Sequence, residues 1–277
     1  MAEISLQPVT AELVEKLRRR QGFGPALLQS LRVIKAMILR EAITRFGSSR
    51  LGYLLAFIEP TLYFVGFIIL RTLILDRVPF GESGIMFLIS GFITVRIFIS
   101  VSRNVMFAIV ANQTLMTFPS VTPLSAVFAR AAVEIFTMST ILVVFYSFIT
   151  WDDASTRVHD PVGMTWAALA LFGLSAGVGC LNAVLVTLMP SYKLIYTLIS
   201  LPVLIMSGVF YVPALLPIEA QQIIIWNPVL HCVEWFRAAI YMDYIATLDR
   251  SYPTYFGLIC GGLGIILSQI FRVRLLD

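Results

Sequence analysis

The chain has 277 residues, of which 58% are hydrophobic and 13% charged, and its mean hydropathy is +0.88. A soluble domain of this length cannot bury so much apolar surface, so composition excludes an ordinary soluble protein and makes lipid the expected solvent. A formal net charge of +4 and a pI near 9.1 would suit nucleic acid only if the basic residues clustered in a soluble domain. They do not, and anionic lipid headgroups are the expected partner, with no nucleic acid.

Residues 1–53 form a cytoplasmic amino-terminal region, too long and too charged for a cleaved signal sequence. Within it, Leu27, Leu31, Ile34, Ile38 and Ala42 recur at helical spacing with Arg32, Lys35 and Arg40 between them. This predicts an amphipathic helix on the membrane surface, with packing against other helices as the alternative, because Val33, Met37 and Ile43 fall off the stripe. Residues 54–277 form the transmembrane domain. Runs long enough to cross a hydrocarbon core fall at 54–75, 85–102, 124–150, 162–189, 194–212 and 253–271, giving an all-α membrane protein with six spans. With both termini inside, thirteen Lys and Arg residues lie on the cytoplasmic side, against Arg77, Arg157, Arg237 and Arg250 outside. The positive-inside rule selects that orientation. Residues 103–123 then form a cytoplasmic loop. Residues 213–251 lie outside and hold two apolar stretches too short to cross, separated by Asn227-Pro228. They predict a re-entrant helical hairpin before the last span, the alternative being a loop lying flat on the membrane.

Glu59, Arg71, Arg96, Arg130 and Glu134 are ionisable residues inside the expected spans, each costing about 2.5–3.5 kcal/mol if left unpaired at mid-membrane. Glu59, Arg96 and Arg130 fall at similar depth, about 8–9 Å from the cytoplasmic side at 1.5 Å rise per residue. Glu134 follows Arg130 at i+4, so Glu59, Arg96, Arg130 and Glu134 are expected to form a neutral network that pins helices or lines the inner half of a conduit. Tyr53, Tyr63, Tyr196 and Tyr211 are among many aromatic residues that suit either interface anchoring or stacking on sugar rings. Gly173 with Gly177, and Gly257 with Gly261, have the spacing for close helix contact. Cys180, Cys232 and Cys260 are scattered and read as buried apolar residues, with no metal site. No phosphate-binding Gly-x-x-x-x-Gly-Lys-Ser/Thr motif occurs, so energy must come from elsewhere. There is no recognisable catalytic residue set; a membrane transferase using Glu59 or Glu134 as base, or an ion-driven transporter broken at Pro202, are the competing readings.

Several local patterns, in order, resemble the membrane subunits of ABC-2 type exporters, particularly those for capsular polysaccharide. They are Arg45-Phe46-Gly47, Leu51-Gly52-Tyr53 and Glu59-Pro60 before and in the first span; the run from Asn112 to Val121; Arg130 and Glu134; Ser207 to Tyr211; and Asn227-Pro228 with His231, Glu234 and Arg237. The resemblance implies a non-enzymatic permease of the bacterial inner membrane, acting as a homodimer with two ATPase subunits that hold the ATP and Mg, while this chain binds no cofactor. The substrate would be a lipid-linked acidic polysaccharide, received by a periplasmic co-polymerase and an outer-membrane exporter; O-antigen, teichoic acid or a drug are the alternative cargoes. Asn112, Gln113, Leu115, Met116, Phe118 and Pro119 would dock the ATPase. Arg45 and Arg50 could meet the lipid phosphate or acidic sugars, on a substrate path with Tyr53, Glu59, Tyr63, Arg71, Arg96, Tyr196 and Tyr211. His231, Glu234 and Arg237 share one helix face and are expected to brace the outer hairpin.

Overall fold

The computed structural model describes residues 23–46, 84–118, 120–152, 158–247 and 249–276, with the single positions Ile58, Leu62, Ile69 and Phe80. Among these residues all regular structure is helical. The α-helices are α1 (Phe23–Phe46), α2 (Gly84–Met106), α3 (Pro123–Asp152), α4 (Pro161–Leu188), α5 (Tyr192–Met206), α6 (Ile218–Ile224), α7 (Pro228–Ile240), α8 (Ser251–Ile270) and α9 (Arg272–Leu276). A 3₁₀ segment, Val110–Thr117, joins α2 to α3.

Four stretches are long and apolar enough to cross a bilayer: Met86–Thr117, Pro123–Val144, Pro161–Leu188 and Ser251–Ile270. They correspond to the second, third, fourth and sixth expected spans. The first, at 54–75, lies outside the described residues apart from Ile58, Leu62 and Ile69. The fifth differs from expectation. Helix α5 has 15 residues and stops at Met206, a rise of about 22 Å against a hydrocarbon core of about 30 Å. The apolar run continues to Val212, but Gly208 adopts φ 70°, a left-handed conformation that ends the helix. Pro202 lies inside α5, which runs through it, so the helix is not broken there as the ion-driven reading required.

The core is built around α4, which packs along α8 and α2 and also touches α7. Asp160 caps its start by accepting from the Gly163 N–H (2.8 Å), with Pro161 in the first helical position. Glycines set how near α4 comes to its neighbours. A Cβ on Gly177 would strike the Gly257 carbonyl, and one on Gly257 would lie 2.7 Å from the Leu174 Cα. The helix backbones therefore touch, which in lipid is a main source of association. Of the expected small-residue pairs, Gly177 and Gly257 carry this contact. Gly173 faces open space, whereas Gly264, outside both pairs, sits against Leu181.

Helix α1 packs against α3. Its inward face is Val33, Met37, Glu41 and Arg45, with Ile34 and Ile38 beside it, and Met37 is the most buried apolar residue. This is rotated from the expected stripe; Leu31, Leu39 and Ile43 are exposed. The cause is Glu41, whose carboxylate has its partner on α3 and so turns that face inward.

Candidate functional site

Residues 103–123, expected as a loop, are largely helical. Helix α2 runs on to Met106 and the 3₁₀ segment follows, ending at Phe118 in extended backbone. Asn112 anchors the segment: it is 2% exposed, and its Nδ2 donates to the Ala108 carbonyl (2.7 Å). Met116 is buried beside it. Of the residues expected to dock an ATPase, Gln113 and Phe118 are exposed, Leu115 is partly covered, and Asn112 and Met116 point inward. Pro119 lies outside the described residues. Phe118 is 60% exposed, the most open large apolar residue of this segment.

The charge cluster at the α1–α3 contact contains two carboxylates and two guanidiniums. Arg130 pairs with Glu41, Arg45 pairs with Glu134, and Arg130 Nε lies 4.0 Å from Glu134 Oε1. Both carboxylates are buried while both arginines reach the edge. The charges balance, which such burial requires. Arg130 and Glu134 therefore sit together as their spacing predicted. Their partners among the described residues are on α1: Glu41, which the sequence reading did not single out, and Arg45, which it placed on the substrate path. Glu41 is the one acidic residue of an otherwise basic helix, and that isolation was the available signal. Glu59 lies outside the described residues, and Arg96 is half-buried on α2.

Of the remaining path residues, Arg50, Tyr53, Tyr63 and Arg71 lie outside the described residues. Tyr196 is buried and shares a hydrogen bond with Ser102. Tyr211 is half-exposed and donates to the Ile205 carbonyl (3.2 Å).

At the other end of the bundle, Asn227 caps α7 by accepting from the Val229 N–H (3.1 Å), with Pro228 next. Helix α7 is buried on nearly every side against α2, α4 and α8. Helix α6 exposes Ile218 and Ile223 instead, and Trp226 just beyond it is 76% exposed. Arg237 is fully buried, with its guanidinium 3.6 Å above the centre of the Phe87 ring. It donates to the carbonyls of Gly208 (2.7 Å), Val209 (3.0 Å), Tyr211 (3.3 Å) and Phe87 (3.3 Å). A side chain on Gly91 would come within 2.8 Å of it. Glu234 accepts from the Tyr244 hydroxyl (2.5 Å) and the Thr247 N–H (3.2 Å), and lies 3.8 Å from Arg237. His231 Nδ1 accepts from the Asp249 N–H (2.9 Å), so Nε2 carries the proton and donates to the Ile225 carbonyl (2.9 Å). At the start of α8, hydrogen bonds from the Ser251 hydroxyl and N–H hold the Asp249 carboxyl below the usual range. The three residues read from the sequence as one face thus fasten four backbone segments, at Phe87, at Gly208 to Tyr211, at Ile225 and at Thr247 to Asp249.

The sequence profile of the ABC-2 type transporter family matches residues 32–241, most of the chain, from within α1 to the end of α7. The chain belongs to the ABC-2 type transporter family. It is similar to the polysialic acid transport protein KpsM of Escherichia coli, at 30% identity over 239 residues, covering 85% of this chain and 92% of that protein. The capsule polysaccharide export inner-membrane protein BexB of Haemophilus influenzae is 27% identical over 91% of this chain and 94% of its own length. The corresponding protein CtrC of Neisseria meningitidis serogroup A is 26% identical over 92% and 95%. As an ABC-2 family member, the chain holds the α2–α3 connection, the α1–α3 charge cluster, α6 and α7 inside the family domain.

Proposed function

We propose that this chain is the permease subunit of an ABC exporter that moves lipid-linked capsular polysaccharide across the inner membrane, as a homodimer, with ATP hydrolysed by two separate ATPase subunits. The observation that carries this reading is the similarity, over nearly the full length of both partners, to proteins named for polysialic acid transport and capsule polysaccharide export. The exposed residues of the 3₁₀ segment, Gln113, Thr114 and Phe118, supply a surface on which an ATPase can dock. Thirteen Lys and Arg residues on one side against four on the other support cytoplasmic termini and, with them, a cytoplasmic 3₁₀ segment. A periplasmic co-polymerase and an outer-membrane exporter would take the polymer onward. The transferase reading fares worse, because Glu134 is engaged by Arg45 and Arg130 and is not poised as a base.

The test is to purify the chain in mild detergent with whatever ATPase accompanies it, and to measure hydrolysis with and without lipid-linked capsular polysaccharide. Stimulated hydrolysis by a co-purified ATPase is expected. A chain that never brings down an ATPase, from cells whose surface polysaccharide survives its deletion, would refute the reading. Phe118→Asp should abolish co-purification while membrane insertion persists; retained assembly would show that docking lies elsewhere.

A further inference from the structure

Asn112 faces away from the exposed docking residues of its own segment. Its Oδ1 accepts from Arg40 Nη1 of α1 at 2.5 Å, and the hydrogen bond from its Nδ2 to Ala108 fixes the amide so that Oδ1 can point only there. The next residue along α1, Glu41, pairs with Arg130 of α3, and one turn later Arg45 pairs with Glu134. Helix α1 is thus fastened to the 3₁₀ segment by Arg40 and to α3 by Glu41 and Arg45. Only residues 118–122 connect those two partners in the chain. With both fastenings intact, a displacement of the 3₁₀ segment carries α1 and α3 with it, and a shift of the segment relative to α3 must break one of the two. Both are built from buried acceptors, Asn112 at 2% and Glu134 at 0% exposure, which makes breaking them costly.

We infer that Arg40 and Asn112 are positioning residues that make α1 move with the ATPase-docking segment, so that docking reaches the residues after α1, where the first span is expected, as well as α3. This rests on the exporter reading. Arg40 is itself exposed, so its replacement removes contact with one acceptor and no core packing. Its side-chain hydrogen bond goes to the buried Asn112, whereas the ion pairs to α3 are made by Glu41 and Arg45. The bond therefore affects transmission rather than assembly, and coupling between sites of this kind typically amounts to about 5- to 150-fold.

The experiment complements cells lacking the chain with wild type, Arg40→Ala, Arg40→Lys and Asn112→Asp. It measures membrane abundance, the amount of ATPase captured per chain from those membranes, and surface polysaccharide. Arg40→Ala should keep its abundance and its captured ATPase, while surface polysaccharide falls about fivefold or more. Arg40→Lys, which can still offer one N–H to Oδ1, should export clearly more than Arg40→Ala, and so should Asn112→Asp, which keeps the acceptor for Arg40 while giving up the Nδ2 bond to Ala108. Unchanged export in Arg40→Ala overturns the inference, as does loss of captured ATPase in step with export, since the residue would then serve docking or folding. If wild type captures no ATPase and restores no surface polysaccharide, the exporter reading itself fails.

Discussion

Arg237 shows how one residue can organise a membrane protein from within. A guanidinium offers five N–H donors in a planar fork, and here it serves four backbone carbonyls: those of Gly208, Val209 and Tyr211, which lie beyond the end of α5 and outside any helix, and that of Phe87 within α2. Arg237→Ala should destabilise the folded chain by about 3–5 kcal/mol, because it removes the donor to the carbonyls of Gly208, Val209 and Tyr211 and leaves Glu234 buried without its counter-charge. Arg237→Lys should recover little, since an ammonium cannot span the same acceptors. Thermal unfolding in detergent measures both, and a wild-type midpoint for Arg237→Ala would refute the assignment. The glycines give a second contrast. Gly257→Ala drives a methyl to 2.7 Å from the Leu174 Cα and should cost about 1–3 kcal/mol, whereas Gly173→Ala meets nothing within 4 Å and should be neutral or better. Equal effects would mean that the α4–α8 backbones do not touch. From sequence the two glycines of each pair were indistinguishable, because spacing says which residues share a face and not which face meets a neighbour.

Among the elements, α1 and α3 are held by ion pairs between buried carboxylates and edge arginines. Reversing one charge, as in Glu41→Arg or Arg130→Glu, should damage folding and export. The double exchange should restore part of both, with an interaction energy of about 0.5–3 kcal/mol. Additive losses in the double variant would show that Glu41 and Arg130 act separately. The isolated helix pattern of α1 was legible, but its rotation was not, since the stripe from Leu27 to Ala42 is imperfect and a buried Glu overrides it. Helix α5 teaches the same lesson. Hydropathy carried the span to Val212, while a left-handed Gly208 and the carbonyls drawn to Arg237 end the helix at Met206. The Asn227 side chain donates to Val203 and Ser207, fixing the start of α7 at the end of a helix only about 22 Å long. That supports a hairpin set below the outer membrane surface. Trp226 fluorescence should then be quenched more by mid-chain than by headgroup quenchers; the reverse ranking would place the hairpin on the surface.

For the molecule as a whole, one face of α5 presents Leu194, Leu198, Leu201 and Ile205 outward, and α8 presents Leu258, Ile259, Ile266 and Ile270. Such area is tolerated only against lipid or a second copy of the chain. A cysteine at Thr114 should react with a membrane-impermeant reagent from the cytoplasmic side and one at Ser251 from the outside, against native cysteines that are all buried. The opposite pattern would invert the topology. The sequence alone determined that the chain lives in lipid, where four of its spans begin to within a few residues, and the family its ordered motifs resemble. Those properties follow from local composition, because each span must satisfy its own backbone and bury its own side chains in hydrocarbon. Only the tertiary structure decided that Glu41 and Arg45 complete the α3 charge cluster, that Asn112 faces α1 while Phe118 faces out, and that Arg237 holds the end of the fifth helix. Each of these joins residues distant in the chain, and partner choice among buried polar groups depends on which helix faces meet, a property no single helix encodes.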